Sequence, residues 1–203
     1  GEFLIDLEWP AGTPLEETAA TMDDLVRQGK VRYVGCSNYP AWYLARSLWI
    51  SDVRNLARID CVQPRYNLLD RSAETELYPL CLDQGVGVIP YNPIAGGFLT
   101  GKYRRGEEAP PGTRFADRAD IYMPRYWYDV NFDALERLLA VASEAGLPPG
   151  RMALAWSMRH PAVTSSIVGA TSPEQVDDNL EAVDVVLTDE QAAALAPITG
   201  EVH

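Results

Sequence analysis

Cysteine is scarce in this sequence of 203 residues: only Cys36, Cys61 and Cys81 occur. Their odd number and wide spacing exclude a disulfide framework, a paired-cysteine redox motif and a zinc ligand set. They read as reduced, mostly buried thiols of a cytoplasmic protein. Histidine is scarcer still. His160 stands before Pro161 at a helix end and His203 is the last residue, so both read as surface or capping residues rather than catalytic ones. Positive charge is also in short supply. Lys and Arg total 17 against 29 Asp and Glu, a formal charge of −12. That balance argues against nucleic acid or an anionic membrane as partner, while leaving room for a local basic pocket around one phosphate. No apolar run approaches the roughly 18 residues of a membrane span, and no basic segment leads into an apolar one at the N-terminus, so neither a span nor a secretory signal is expected. Finally, no Gly-x-Gly-x-x-Gly turn follows the first strand-like segment, which removes the best support for a doubly wound dinucleotide fold.

What is present is alternation. Gly1-Glu2-Phe3 reads as a cloning remnant, and Leu4 to Trp9 as a strand. Thr13-Pro14-Leu15-Glu16-Glu17 opens a helix, with Thr13 as N-cap, Pro14 at the first position and acidic residues in the first turn. Gly29 stops it. Val31 to Cys36 is a buried strand, and Pro40 to about Leu56 a second helix. Asp60 to Gln63 is a strand limited by Pro64, and Ala73 to Asp83 a helix ended by Gly85. Val86 to Pro90 is a strand again. A Gly/Pro-rich, charged region from about Asn92 to Val130 reads as a long loop, counted from 97 to 130, of the kind that is functional or disordered. Helices over Phe132 to Ala145 and Gly150 to Arg159 follow, then a short strand over Ser165 to Val168. Ser172-Pro173-Glu174-Gln175 opens a helix through Leu180, with Ser172 as cap, and Thr188 to Leu195 is the last helix.

This order predicts an α/β domain over residues 1–203 with about five parallel strands and surrounding helices. Polar residues gather just after the strands: Ser37 and Asn38, Gln63, Tyr91 and Asn92, and Gly169 to Ser172. In a parallel barrel those positions form the rim that carries chemistry.

Four segments resemble one known family. Residues 29–39 (GKVRYVGCSNY), 62–69 (VQPRYNLL), 88–103 (VIPYNPIAGGFLTGKY) and 166–180 (SIVGATSPEQVDDNL) are similar, in order and spacing, to the last strands of the aldo-keto reductases. The resemblance implies an incomplete (β/α)8 barrel, roughly its strands four to eight, and NADPH-dependent carbonyl reduction. It implies that Ser37, Asn38 and Gln63 hold the nicotinamide carboxamide and that Tyr91 stacks on the ring. It implies that Asn92, Pro93, Gly97, Leu99 and Lys102 follow the pyrophosphate. Gly169, Thr171 and Ser172 would open a phosphate-binding helix, with Gln175 and Asn179 on its adenine side.

The sequence also departs from the family. No counterpart of the segments that supply the catalytic Asp, Tyr and Lys is found, and Glu8 lies near the place of the catalytic His, as a weak catalytic candidate whose other reading is a solvated carboxylate. No Arg or Lys stands close to Thr171 to grip a 2′-phosphate, so NAD competes with NADP(H) as the implied cofactor. An open barrel leaves strand edges unpaired, which implies association into a homo-oligomer. Three readings follow: a nucleotide-binding protein that kept the NADP(H) rim without the catalytic set, an oxidoreductase active on a carbonyl substrate when completed by another chain, and a truncated piece with a structural or interaction role. The first accounts for most of the residues named here.

Overall fold

The structure is a computed structural model and describes residues 3–6 and 12–196. The chain divides into two compact units. The first comprises Gly1–Pro64, Ala73–Pro90 and Ala162–Ser165; the second comprises Arg65–Ser72, Tyr91–Pro161 and Ser166–His203.

The first unit is built on four parallel strands, β1 (Phe3–Asp6), β2 (Val34–Ser37), β3 (Ile59–Gln63) and β4 (Gly87–Val88), in that order across the sheet. Phe3 pairs with Val34, so β1 includes one of the residues read as a remnant. Val163 adds an isolated parallel bridge to Val88. Three helices connect the strands: α1 (Leu15–Arg27), α2 (Ala41–Arg54) and α3 (Leu77–Gln84). This is the crossover pattern that parallel pairing requires. The α1 cap differs from expectation. Pro14, not Thr13, is the N-cap, and no side chain caps it. Its fixed φ lets Pro14 lead into the helix without a donor to satisfy. Within α1, Asp23 pairs with Arg27 and accepts the Ala57 amide at 2.9 Å, which ties the helix to the chain entering β3. Gly85 ends α3 in the left-handed region (φ 66°), as its place after the apolar run suggested. The expected helix over Ala73 to Asp83 begins later, after a 3-10 turn at Ser72–Glu74.

The second unit is mostly helical: α4 (Arg114–Asp117), α5 (Ala119–Tyr126), α6 (Asp129–Ala145), α7 (Pro149–Met158), α8 (Pro173–Glu181) and α9 (Asp189–Leu195). Ser172 caps α8 by accepting the Gln175 amide, and Thr188 forms a reciprocal capping box with Gln191 at α9. The expected strand over Ser165 to Val168 is reduced to one parallel bridge between Ile167 and Tyr91. The expected long loop over 97–130 is corrected more thoroughly. It contains a 3-10 turn at Ala95–Thr100, then α4 and α5, and its aromatic residues form a core. Phe98, Tyr103, Phe115 and Tyr126 are buried, and Trp127 and Phe132 close the cluster with ring centroids 5.2 Å apart. Aromatic burial, not helix propensity, orders this stretch.

Two predictions follow from the packing. Phe115→Ala removes a buried ring that touches five other aromatic side chains, Phe98, Tyr103, Tyr122, Tyr126 and Trp127. Urea unfolding is expected to show a loss of about 3–5 kcal/mol; a loss below about 1 kcal/mol would mean that the cluster is not a core. Burial pushes the Cys81 thiol up to about 11 and the Cys36 thiol higher still. Both are therefore almost entirely thiols at pH 8, and thiolate is the reactive form. A disulfide reagent at pH 8 is expected to modify at most one cysteine of the native protein in the time it takes to modify all three after unfolding. Fast reaction of two or more would contradict that burial.

Candidate functional site

Two clusters of polar groups stand out, one in each unit. In the first unit, Ser37 ends β2 and lies in register with Gln63 at the end of β3. The Gln63 carbonyl accepts the Ser37 hydroxyl at 3.0 Å and the Asn38 amide at 3.1 Å. Asn38 turns the chain with a φ of 55°, a conformation that Asn tolerates better than most residues. Parallel pairing thus brings Ser37, Asn38 and Gln63 together, with Ser37 buried and Asn38 exposed. A hydroxyl and two amides fixed on rigid strand ends can meet both the donor and the acceptor of a planar carboxamide.

The second unit contains a cleft of about 550 Å³. Among the residues the sequence singled out, Tyr91, Asn92, Pro93, Gly97, Lys102, Gly169, Thr171, Gln175 and Asn179 line it. Leu99 does not: its side chain lies wholly in the core. Nor does Ser172, whose hydroxyl is spent on capping α8. Gln175 is partly committed as well, since its Oε1 accepts the Thr171 amide at 2.8 Å and the Thr171 hydroxyl at 3.2 Å. Glu8, the weak catalytic candidate, and His203 lie outside the described residues. His160 is half-buried and packs edge-on against Tyr66, with ring centroids 6.4 Å apart.

The floor of the cleft is a tight turn. Asn92, Ala95, Gly96 and Gly97 all have positive φ, and the Asn92 Oδ1 accepts the Gly96 amide at 2.6 Å. Glycine matters here because other side chains lie directly on the backbone. A Cβ at Gly96 would fall inside the Tyr122 ring, and one at Gly97 would sit 3.1 Å from Lys102 Nζ.

Among the lining residues that sequence reasoning did not single out are two cations and a phenol, Arg114, Arg125 and Tyr122. They come from the stretch read as a loop and belong to no motif; only its charge and its Gly/Pro content hinted at function. Arg114 supplies the cation found missing near Thr171. A Cβ at Gly169 would lie 2.8 Å from its Nη2, so the guanidinium rests against the residues that lead into α8. Arg114 also donates to the Tyr122 hydroxyl at 3.4 Å. Partial desolvation, reinforced by the nearby Arg114 charge, lowers the Lys102 ammonium below the ordinary lysine value. Lys102, Arg114 and Arg125 thus share one cleft with the N-terminus of α8, in a chain whose formal charge is −12. Clustered cations suit a phosphate-bearing anion.

Among the described residues, no group of three or more His, Cys, Asp or Glu side chains is placed to hold a metal ion, and no helix is long and apolar enough to cross a membrane.

The sequence model of the Aldo/keto reductase family matches residues 5–199. The chain is 34% identical to the uncharacterized oxidoreductase YrpG of Bacillus subtilis (strain 168), over 88% of this chain and 52% of that protein. It is 33% identical to an NADH-specific methylglyoxal reductase of Escherichia coli (strain K12), over 92% of this chain and 54% of that one. A probable voltage-gated potassium channel subunit beta of Arabidopsis thaliana is 34% identical, over 87% and 54% respectively. The chain spans about half the length of the curated relatives it matches. With a match over nearly all its residues, the chain belongs to the aldo/keto reductase family.

Proposed function

We propose that this chain is the cofactor-binding part of an aldo-keto reductase, an incomplete (β/α)8 barrel that binds NADP(H) and, in isolation, reduces carbonyls poorly or not at all. The observation that carries the reading is the cleft of the second unit, where Lys102, Arg114 and Arg125 meet the start of α8. The glycines fit this role. Gly97 and Gly169 lack the side chains that would push Lys102 and Arg114 off the cleft wall. Arg114 supports NADP(H) over NAD, because a guanidinium against Gly169 suits the doubly charged 2′-phosphate. The overall −12 charge opposes a polyanion only weakly, since salt screens it beyond roughly 8 Å.

When bound, the nicotinamide nucleotide supplies the hydride of a carbonyl reduction. This chain's residues do the holding. In the first unit, Ser37, Asn38 and Gln63 are suited to a carboxamide; in the second, Tyr91 is suited to an aromatic ring and the Asn92–Gly97 turn with Lys102 to a pyrophosphate. Arg114 and Asn179 hold the adenosine end. The proton is the missing part. The family draws its Asp, Tyr and Lys from segments that this chain does not match, and a phenol works as an acid here only if a neighbouring cation lowers its pKa. Of the buried tyrosines, Tyr126 has its phenol pushed up to about 12, mainly by burial, which is the wrong direction for that task. Turnover therefore belongs to a longer chain or to a partner that supplies the rest of the barrel. The half-length coverage of the relatives favours that view. The outer edge of β1, which pairs with no strand among the described residues, supports self-association, and the free cysteines support a cytoplasmic location.

Titration of tryptophan fluorescence with NADPH and NADH tests the proposal. Saturable NADPH binding is expected, weakened about tenfold by Arg114→Ala, with a smaller effect of that change on NADH. Lys102→Ala is expected to weaken both. The pH dependence has a definite sign. Phosphate binding uses the ammonium form, so affinity is full at neutral pH and falls as pH rises, below the ordinary lysine range because the Lys102 pKa is lowered. Lys102→Ala is expected to flatten that fall. Failure of both nucleotides to bind at millimolar concentration would overturn the reading.

A further inference from the structure

The turn from Asn92 to Gly97 is held from behind by a side chain that never reaches the cleft surface. The hydroxyl of Tyr126, the last residue of α5, accepts from Asn92 Nδ2 at 2.8 Å and from Asn67 Nδ2 at 3.2 Å. Asn67 Nδ2 also donates to the Asn92 carbonyl at 3.1 Å. Asn67 is itself immobilised, since its Oδ1 accepts the amides of Leu69 and Asp70 at 2.9 and 3.1 Å. Every polar handle that Asn92 offers to the turn is thereby used. Its Oδ1 accepts the Gly96 amide, its carbonyl accepts the Ala95 amide at 2.9 Å, and its Nδ2 is spent on Tyr126. Asn67 and Tyr126 are both buried. Water therefore does not replace their bonds cheaply.

We infer that Tyr126 is a positioning residue for cofactor binding: its hydroxyl sets the Asn92 amide and, through it, the left-handed Asn92–Gly97 turn that faces the pyrophosphate. The inference rests on the proposed reading of the cleft as a nucleotide site. Ala95, at a φ of 50°, holds a conformation that costs a non-glycine residue and persists where its surroundings fix it. The ring of Tyr126 belongs to the aromatic core, whereas its hydroxyl belongs to the site. The two contributions are separable by one atom.

Tyr126→Phe makes that separation in the intact chain. NADPH affinity is expected to fall about tenfold, whereas adenosine 2′-phosphate, which lacks the pyrophosphate, is expected to bind as tightly as before. Amide hydrogen exchange in the ligand-free protein is a second readout. Exchange at Gly96 is expected to quicken in Tyr126→Phe, while the α6 amides keep their protection. Asn92→Ala is expected to reproduce the pattern, and adding Tyr126→Phe to it to cost little more, because both act through one bond. Equal weakening of both ligands, or a uniform rise in exchange, would show that Tyr126 merely stabilises the fold and would overturn the inference. Unchanged NADPH affinity with unchanged Gly96 exchange would also overturn it. If wild-type protein binds neither ligand, the nucleotide reading fails, and the exchange experiment alone still decides whether Tyr126 braces the turn.

Discussion

A chain that turns through left-handed backbone at Asn92, Ala95, Gly96 and Gly97 must have its polar groups met from outside the turn, and the second unit is organised around that need. The Asn92 side chain closes the turn onto Gly96, and the surrounding residues hold Asn92. The glycines let Lys102 and Tyr122 lie flat against the backbone. The turn in turn shapes one wall of the cleft. The stretch around α4 and α5 supplies the brace through Tyr126, the cover through Tyr122 and a cation through Arg114. Its aromatic core is what makes such a contribution dependable.

Charge is distributed to match. Acidic residues dominate the chain as a whole, but several are matched on the surface away from the cleft. Arg105 pairs with Asp129, Asp133 and Glu136, and Arg159 pairs with Asp189. Such exposed pairs contribute little to stability. Their effect is to leave the cations of the cleft less opposed locally than the net charge suggests. A basic pocket inside an acidic protein is suited to a small anionic ligand.

The sequence showed some of this plainly. Ser172 and Thr188 stand before helices with the residues a cap requires, and the side chains cap as expected because such bonds are local. The parallel order of β1 to β4 followed from alternation of apolar runs and amphipathic segments. The Ser37, Asn38 and Gln63 group followed from strand ends in register. What stayed hidden was long-range. Arg114 lies 55 positions before Gly169 and Tyr126 lies 59 positions after Asn67, so no local pattern links either pair. The 97–130 stretch is rich in Gly, Pro and charge, which are loop signals, while its ordering comes from rings that meet only after folding. Leu99 shows how one motif position divides: its apolar side chain went to the core, which leaves its backbone as the part able to face a ligand.

The central claim is that the cleft of the second unit receives the phosphates of NADP(H). Phosphorus NMR of NADPH with increasing amounts of the protein tests it most directly, because the 2′-phosphate and the pyrophosphate give separate signals. The account predicts that both signals shift or broaden in step with protein concentration, and that Arg114→Ala selectively reduces the effect on the 2′-phosphate. A 2′-phosphate line that stays sharp and unshifted in excess protein would contradict it.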